Sequence, residues 1–401
     1  MNIAVAQSGG PTVAINASLA GVFKGALNSN EIDTIYGSLN GIEGIIEQNL
    51  VNLNELIKND DDLELVKATP STVLGSCRYK LPAFDKDALV YTKIIECFKK
   101  YNIGAFFYIG GNDSMDTVNK LSKYTAENGI DIKVIGIPKT IDNDLCLTDH
   151  TPGFGSAAKY LATTLQEIVR DSAVYDLKSV TIVEIMGRHA GWLTASSAIL
   201  HANGETAPHL IYLPEGEFSQ EKFLNDVNAQ LQIRDSVIVA VSEGITLDDE
   251  NYRSGKVDTF GHAYLSGIGK LLENLVTEKI GCKVRSIELN VMQRCSSHLA
   301  SKTDIEESVL IGESGVKAML AGKTGIMMTF VRTSNNPYEI EIGEADTSLV
   351  ANQEKTFPKE WICDNSTNIT SQALEYFLPL IAGEVQIKTK NGMPVHFKIN
   401  K

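Results

Sequence analysis

Residues 132–144 of the chain are Ile-Lys-Val-Ile-Gly-Ile-Pro-Lys-Thr-Ile-Asp-Asn-Asp, and the rest of the sequence is arranged around them. The apolar-rich start predicts a buried strand, and Pro138 ends it because proline has no N–H to donate to a sheet. The loop that follows carries an ammonium, a hydroxyl, an amide and two carboxylates. Asp142 and Asp144 would point to the same side of an extended loop. There they would repel each other unless a metal or a substrate proton lay between them.

Polar, glycine-bearing loops follow other strand-like runs in the same way. Residues 2–7 lead into Ser8-Gly9-Gly10-Pro11-Thr12, residues 102–109 into Gly110-Gly111-Asn112-Asp113-Ser114, and residues 181–185 into Met186-Gly187-Arg188-His189. In open α/β sheets the ligand crevice lies at the carboxyl ends of the strands. Glycine allows close approach of the backbone, and the next helix offers free N–H groups to an anion. The pattern therefore predicts an anion-binding crevice.

Strand and helix patterns alternate along the chain, which predicts parallel sheets with helices on both faces. The expected strands are 2–7, 104–109, 132–137, 180–185, 209–213, 236–242 and 283–289. The expected helices are 14–26, 86–101, 114–127, 154–173, 192–202, 219–233 and 260–278. These strands are too many for one comfortable sheet, so the fold class is α/β with two doubly wound, Rossmann-like domains. The acidic run at 59–62 is interpreted as a solvated loop, and Asn391-Gly392 between alternating runs predicts a C-terminal hairpin.

Composition limits the class of partner. The chain has 401 residues, 43% of them apolar, and a net charge of −14. This charge argues against nucleic acid or an anionic membrane, so an anionic substrate would need a local cluster of cations. The sequence has no apolar run of about 18 residues and no leader pattern, and we expect a cytoplasmic protein. Its six cysteines are scattered and are interpreted as reduced thiols.

Several common motifs are absent or out of context. No G-x-x-x-x-G-K-[ST] sequence occurs, which argues against an ordinary P-loop nucleotidase. Gly153-Phe154-Gly155-Ser156-Ala157-Ala158 fits the dinucleotide fingerprint but does not leave a strand directly, which argues against a NAD-dependent dehydrogenase. We interpret it instead as a helix start packed behind the 138–144 loop.

The chain resembles the phosphofructokinase family in a set of residues that occur in the family's order and spacing. These are Gly9-Gly10, Gly75-Ser76-Cys77-Arg78, Gly110-Gly111, the 138–144 loop, Met186-Gly187-Arg188, Glu243 and Gln293-Arg294. The resemblance implies a donor-binding domain formed by residues 1–152 and 294–345. It also implies a sugar-phosphate domain formed by 153–293 and 346–383, an active site in the cleft between the domains, and a tail at 384–401.

The resemblance implies phosphoryl transfer to the 1-hydroxyl of fructose 6-phosphate, with Mg²⁺ as cofactor. Asp142 would be the general base, with Thr140, Asp144 and Arg188 completing the catalytic set. Donor-binding residues would be Gly9, Gly10, Arg78, Gly110, Gly111, Asn112, Asp113 and Lys139. Substrate-binding residues would be Thr140, Asp142, Met186, Gly187, Arg188, Glu243, Arg285 and Arg294. Asp113 and Asp144 are the candidate metal ligands; Asn112 stands where relatives commonly have aspartate.

Three arginines, Arg188, Arg285 and Arg294, suit a sugar phosphate because a guanidinium can form hydrogen bonds to two phosphate oxygens at once. Without the resemblance, each would be interpreted as a surface or ion-paired residue. The resemblance implies that Arg285 reaches into a neighbouring subunit's site, so a homodimer or homotetramer is expected. Ser179 stands where relatives often have another arginine, and Lys178 is a candidate substitute. The sugar-phosphate contacts are thus less well defined than the 138–144 loop.

Two residues bear on the phosphoryl donor. ATP-using relatives have glycine at the positions of Asp113 and Lys139, and both residues here resemble the pyrophosphate-dependent branch. Aspartate would repel the α-phosphate of a nucleotide, whereas lysine supplies a cation for a short, free pyrophosphate. Pyrophosphate is therefore the expected donor, with an ATP-dependent phosphofructokinase as the alternative. A non-catalytic, sugar-phosphate-sensing subunit is disfavoured because Asp142 and Asp144 are both present.

Overall fold

The computed structural model describes residues 1–245 and 267–399, in which strands and helices alternate. The strands are β1 (Asn2–Gln7), β2 (Ile35–Ser38), β3 (Leu50–Asn52), β4 (Ile103–Gly110), β5 (Lys133–Pro138), β6 (Ser179–Ile185), β7 (Leu210–Tyr212), β8 (Ser236–Ser242), β9 (Lys283–Glu288), β10 (Ile326–Asn335), β11 (Tyr338–Asp346), β12 (Ile362–Cys363), β13 (Asn368–Ile369), β14 (Thr389–Lys390) and β15 (Met393–Pro394). The α-helices are α1 (Ile15–Leu27), α2 (Ile42–Ile46), α3 (Leu53–Leu56), α4 (Asp60–Ala68), α5 (Ala88–Lys100), α6 (Asn112–Glu127), α7 (Phe154–Ser172), α8 (Trp192–Ala195), α9 (Gln220–Leu231), α10 (Ile268–Lys279), α11 (Met292–Cys295), α12 (Lys302–Leu320), α13 (Thr347–Val350) and α14 (Ser371–Leu380).

The first sheet has seven strands in the order β11-β10-β5-β4-β1-β2-β3. Its inner strands are parallel, whereas β3 and β11 are antiparallel to their neighbours. The two antiparallel edges arise because short connections join β2 to β3 and β10 to β11, and a short connection cannot lead to a parallel neighbour. The interior of β4 and β5 is almost completely buried, as expected of strands covered on both faces.

The second sheet has four parallel strands in the order β7-β8-β6-β9. Strand β9 lies at one edge and alternates between exposed and partly buried residues. Two mainly parallel sheets, each with crossover helices, confirm the predicted α/β fold class. The helix predicted over 260–278 begins at Ile268 in the described part of the chain, and residues 260–266 lie outside it.

Other differences from the predicted elements have local causes. The acidic run at 59–62 is not a loop: Asn59 caps α4 by accepting a hydrogen bond from the N–H of Asp62, and the aspartates occupy its first turn. Acidic side chains are favourable there because they face the positive end of the helix dipole. The helix predicted over 192–202 is a short α-helix that continues as a 3₁₀ helix over Ser196–Asn203.

Two local predictions are confirmed. Asn391 and Gly392 both have positive φ, 53° and 77°, and connect β14 to β15 in an antiparallel hairpin. Gly153 begins α7 directly after the 138–144 region, with φ of 106°. A Cβ at Gly155 would lie 2.4 Å from the carbonyl oxygen of Leu380, which explains the need for glycine in this tightly packed start.

All six cysteines are free thiols, as the sequence predicted. Within residues 1–245 and 267–399, no helix is both long and apolar enough to cross a membrane.

Candidate active site

A cleft of about 590 Å³ lies where the carboxyl ends of strands from both sheets meet. Its walls begin directly after β1, β4 and β5 of the first sheet and after β6 and β8 of the second. The predicted site residues that line it are Gly9, Gly10, Arg78, Gly111, Asn112, Asp113, Lys139, Thr140, Asp142, Asp144, Met186, Arg188, Glu243 and Arg294. Residues that are far apart in the sequence thus line one cleft.

Hydrogen bonds at several points fix the 138–144 loop. Strand β5 extends through Pro138, one residue further than predicted, and the N–H of Lys139 donates to the carbonyl of Gly110 at 3.0 Å. The N–H of Thr140 donates to Pro152 at 3.2 Å. Thr140 Oγ1 accepts from the N–H of Asp142 at 3.1 Å and is 3.4 Å from its carboxylate oxygen. The Thr140 hydroxyl therefore holds the Asp142 backbone and carboxylate together.

Three carboxyl groups of the cleft have raised pKa values. Burial raises the pKa of Asp142, and the cations of Lys139 and Arg188 oppose that rise. Burial, together with the charge of Asp142, raises the pKa of Asp144 to about 7. The pKa of Glu243 is also raised to about 7, mainly by burial and then by Asp142. Such a group of carboxyls can hold a proton near neutrality or receive a cation.

Lys139 is the buried cation of the cleft, with only 3% of its surface exposed. Its ammonium donates to the carbonyl of Gly10 at 2.6 Å. Burial lowers its pKa to about 8, although Asp142 partly opposes the shift. Lys139 thus joins the β5 loop to the glycine turn after β1.

The glycine turn after β1 brings the backbone close to two cationic side chains. A Cβ at Gly9 would lie 3.3 Å from the Lys139 ammonium, and one at Gly10 would lie 3.0 Å from the Arg294 guanidinium. Gly9 has φ of 75°, and its carbonyl accepts from Ser76 Oγ at 2.7 Å. Backbone and cations therefore approach the same space, as an anion site requires.

The opposite wall comes from the second sheet. The N–H of Gly187 donates to Glu243 Oε1 at 3.3 Å, and Gly187 has φ of 128°. The N–H of Met186 donates to Gln293 Oε1 at 3.1 Å. Glu243 lies just beyond β8 and Gln293 lies within α11, so the backbone that presents Met186 and Arg188 to the cleft is held in place.

Asn112 and Asp113 occupy the first turn of α6 at the mouth of the cleft. Asp113 Oδ1 is 3.7 Å from the ammonium of Lys80, which also lines the cleft. Asn112 Oδ1 is buried and has no hydrogen-bond partner in the part of the chain that the structure describes. An unsatisfied buried oxygen of this kind is a ready acceptor for a ligand or a cation.

Three predicted residues do not line the cleft of this chain. Gly110 lies immediately behind it, where its carbonyl accepts from Lys139, and Gly187 supports the second wall as described above. Arg285 lies on edge strand β9, half-exposed and 3.3 Å from Asp171. Lys178, the candidate substitute for an arginine at position 179, also does not line the cleft of this chain, and its ammonium donates to the carbonyl of Leu231.

Sequence reasoning missed other residues that line the cleft, among them Ser8, Thr12, Lys80, Asn352 and Glu354. Lys80 could have been found, because it stands two positions after Arg78 in the same loop. Asn352 and Glu354 follow α13 and have no local motif, so only the tertiary fold reveals them. Glu354 Oε2 lies 3.3 Å from His189 Nδ1 across the cleft.

The side chains present fit a Mg²⁺ ion that is shared with a substrate. Among the described residues, no three histidine, cysteine or acidic side chains form a cluster that could hold a metal. Mg²⁺ does not require one, since it is usually bound by one or two carboxylates, water and substrate phosphates. A cation would reduce the repulsion between Asp142 and Asp144. It would also give a partner to Asn112 Oδ1, which has none among the described residues.

Comparison with known proteins agrees with this geometry. The family model for phosphofructokinase matches residues 2–319, and the chain belongs to the phosphofructokinase family. It is 38% identical to the pyrophosphate–fructose 6-phosphate 1-phosphotransferase of Methylococcus capsulatus, over 98% of this chain and 94% of that protein. It is 36% identical to the protein of the same name from Halomonas elongata, over 100% of this chain and 96% of the relative. The crystal structure of a pyrophosphate-dependent phosphofructokinase from Marinobacter aquaeolei superposes with a TM-score of 0.87 and 38% identity, covering 99% of this chain and 95% of that one.

Proposed function

We propose that the protein transfers a phosphoryl group from inorganic pyrophosphate to the 1-hydroxyl of fructose 6-phosphate, forming fructose 1,6-bisphosphate and phosphate. One observation carries the proposal: a single cleft joins the carboxylates of the 138–144 loop to the buried ammonium of Lys139 and the arginines of both sheets. The names of relatives that match this chain over almost its whole length support the same donor and acceptor. The reaction breaks the anhydride bond of pyrophosphate and forms one phosphate ester, and because this exchange is near energetic balance we expect it to run in both directions.

Asp142 acts as the general base in this proposal. The hydroxyl oxygen of the sugar attacks phosphorus while Asp142 takes its proton, and the bond to the leaving phosphate breaks. Burial raises the pKa of Asp142, which makes its carboxylate a stronger base than an exposed one. Thr140 holds that carboxylate through the 3.4 Å contact and so orients it toward the hydroxyl.

The donor is held by backbone and cations. Gly9, Gly10, Gly110 and Gly111 shape the anion site, and Asn112, Arg78 and Lys139 contact the phosphates. Charge neutralisation and positioning supply most of the catalysis in phosphoryl transfer. The Lys139 ammonium donates to Gly10, so the same group stabilises the glycine turn and binds the donor.

Asp144 and Asp113 are the proposed carboxylate ligands of Mg²⁺, with Asn112 Oδ1 as a further oxygen. When bound, the ion neutralises charge on the phosphates of the donor. Burial and the charge of Asp142 raise the pKa of Asp144 and the charge of Lys355 offsets only part of this, which supports a role for a bound cation there.

Sugar-phosphate binding is assigned to Met186, Gly187, Arg188, Glu243 and Arg294, with Arg285 supplied by a neighbouring subunit. The half-exposed position of Arg285 on an edge strand supports this assignment. We further propose a homodimer or homotetramer in the cytoplasm, where free thiols are the normal state. The proposed division is 1–152 with 294–345 for the donor and 153–293 with 346–383 for the sugar phosphate.

A donor exchange tests the function directly. Purified protein, fructose 6-phosphate and Mg²⁺ are assayed with pyrophosphate or ATP as the only donor, and fructose 1,6-bisphosphate is measured. We expect product with pyrophosphate, and the reverse reaction with bisphosphate and phosphate. Preference for ATP would establish the alternative donor, and absence of product with either would contradict the enzymatic assignment.

A further inference from the structure

His150 does not line the cleft, and it is buried between two carboxylates in the segment that follows the 138–144 loop. Only 2% of its side chain is exposed, and its ring stacks on Phe330 at 4.5 Å between centroids. Nδ1 is 2.8 Å from Asp149 Oδ2, and Nε2 is 2.7 Å from Glu307 Oε2. Each ring nitrogen therefore faces a carboxylate.

Both carboxylates are held by further donors. Arg332 makes two hydrogen bonds to Asp149 Oδ2, at 3.1 and 2.9 Å. The hydroxyl of Tyr338 donates to Glu307 Oε1 at 2.7 Å. These contacts join α12, strand β10 and strand β11 to the segment that follows the 138–144 loop.

The same network continues to the loop itself. The hydroxyl of Tyr376 donates to the carbonyl of Asp149 at 2.7 Å and accepts from Asn143 Nδ2 at 2.9 Å. Asn143 has a positive φ of 54° and stands between Asp142 and Asp144. Lys355 Nζ adds bonds to the carbonyls of Thr148 and Asp149 at 3.1 and 2.8 Å. Hydrogen bonds on the side chain and on the backbone carbonyl of Asp149 thus connect Glu307 to Asn143, the residue between the two carboxylates.

We propose that His150, as an imidazolium held between Asp149 and Glu307, is a positioning residue that fixes Asp142 and Asp144 through Tyr376 and Asn143. The inference rests on the proposed function, because it takes the 138–144 loop to carry the reacting groups. His150 touches neither substrate in this scheme, and its effect passes through the loop backbone.

The charge state follows from the partners. Ionised carboxylates only accept hydrogen bonds, so two of them on opposite ring nitrogens require both nitrogens to carry a proton. The charged and titratable groups facing this network are Asp149, Asp304, Glu307, Arg332, Tyr338, Lys355 and Tyr376. Hydrogen bonds to Asp149 and Glu307 outweigh burial and raise the pKa of His150. The clamp formed by Asp149, His150 and Glu307 therefore needs ionised carboxylates and a protonated imidazole, and it is lost as the pH rises through the raised pKa of His150.

Tyr376→Phe tests the positioning role because it keeps the ring and removes the hydroxyl through which the network reaches Asn143. We expect turnover to fall roughly 10- to 100-fold, since small displacements of reacting groups cost rates of this order. The KM values for both substrates should change less than about twofold if binding is left intact. Tyr91→Phe is the matched control, because Tyr91 also donates to a backbone carbonyl at 2.7 Å, that of Pro82. Equal turnover in the two variants would overturn the proposal.

The protonation state is tested in the unaltered protein by ¹⁵N-histidine NMR, with the His150 signals assigned by their loss in His150→Gln. We expect both ring nitrogens to be protonated at pH 7; a neutral tautomer at that pH would overturn the proposal. This measurement does not depend on turnover, so it separates failure of the clamp from failure of the proposed function, which would appear as no product from pyrophosphate.

Discussion

Lys139 performs two tasks at the level of a single residue. Its ammonium holds the carbonyl of Gly10 and remains beside Asp142 in the cleft. Asp113 is the other proposed determinant of donor choice, and its carboxylate forms an ion pair with Lys80. Both residues line the cleft, and we expect Lys139 to attract pyrophosphate and Asp113 to repel a nucleotide.

Donor choice should depend on this pair. We expect Lys139→Gly to weaken the pyrophosphate reaction by roughly 1.5–3 kcal/mol, the worth of a charge-assisted hydrogen bond, or about tenfold or more in kcat/KM. Asp113→Gly should allow measurable use of ATP, and the double variant should shift preference further because the residues contact the same ligand. Steady-state kinetics with each donor measure both effects.

Asp113→Ala is the control for the backbone freedom that glycine adds. If charge repulsion excludes the nucleotide, the alanine variant should also gain ATP activity. A folded Asp113→Gly protein without any ATP reaction at millimolar donor would contradict this account.

The proton affinity of Lys139 gives a pH prediction. Burial lowers its pKa to about 8, so the ammonium is lost as the pH rises through that value. The KM for pyrophosphate should therefore increase above about pH 8, after correction for the protonation of pyrophosphate itself. The KM for fructose 6-phosphate, measured in the same series, is the internal control, and parallel increases in both constants would argue against Lys139 as the titrating group.

Asp142→Asn should lower turnover by about 10²–10⁴-fold, the usual contribution of a positioned base, with little change in sugar-phosphate affinity. The amide keeps the shape of the carboxylate but does not take the proton. Asp131→Asn is a matched control, because that side chain is 89% exposed and lies on the surface. Near-normal turnover in Asp142→Asn would remove it from the mechanism.

At the level of elements, the connection between β5 and α7 contains the 138–144 loop. Thr140 forms a bridge with Gly153, and Asp304 accepts hydrogen bonds from the N–H groups of Gly153 and Ser156 at 2.8 and 3.0 Å. The start of α7 thus closes the loop at its base. Gly153 permits this because a Cβ there would lie 2.7 Å from Thr12.

Gly153→Ala should therefore damage both stability and turnover. A positive φ alone costs an alanine about 1–2 kcal/mol, and the contact with Thr12 adds to that cost. Gly281→Ala is the matched control, since Gly281 has φ of 78° and no atom within 4 Å of its Cβ position. Thermal unfolding should show a larger loss for Gly153→Ala, and equal losses would contradict the role of the Thr12 contact.

The elements show what sequence reasoning can reach. Strands β1, β4, β5 and β6 were predictable because their apolar runs are local, and so were the loops at their carboxyl ends. Asn352 and Glu354 were missed because they reach the cleft only through tertiary packing. The acidic start of α4 was misinterpreted because its charge suggested solvation, whereas capping by Asn59 and the helix dipole favour a helix.

For the whole molecule, the position of Arg285 bears on assembly. It lies on edge strand β9, outside the cleft of its own chain. The predicted homo-oligomer with shared sites therefore remains a prediction, and it has a direct test.

Mixing Arg285→Ala protein with Asp142→Asn protein should restore part of the activity that each lacks alone. One hybrid site would then combine an intact base with an intact arginine from its neighbour. Mass spectrometry confirms subunit exchange, and mixtures of each variant with itself are the controls. Exchange without recovery would show that the sites are not shared through Arg285.

The interrupted first sheet has a consequence for how the chain folds during synthesis. Ile326 of β10 pairs with Ile135 of β5, while β6 to β9 lie between them in sequence. At about 5–20 residues per second, β5 leaves the ribosome well before its neighbour exists. The edge of β5 therefore stays unpaired while the residues of the four-stranded sheet are synthesised. During this interval a chaperone or a strand of another nascent chain could bind that edge.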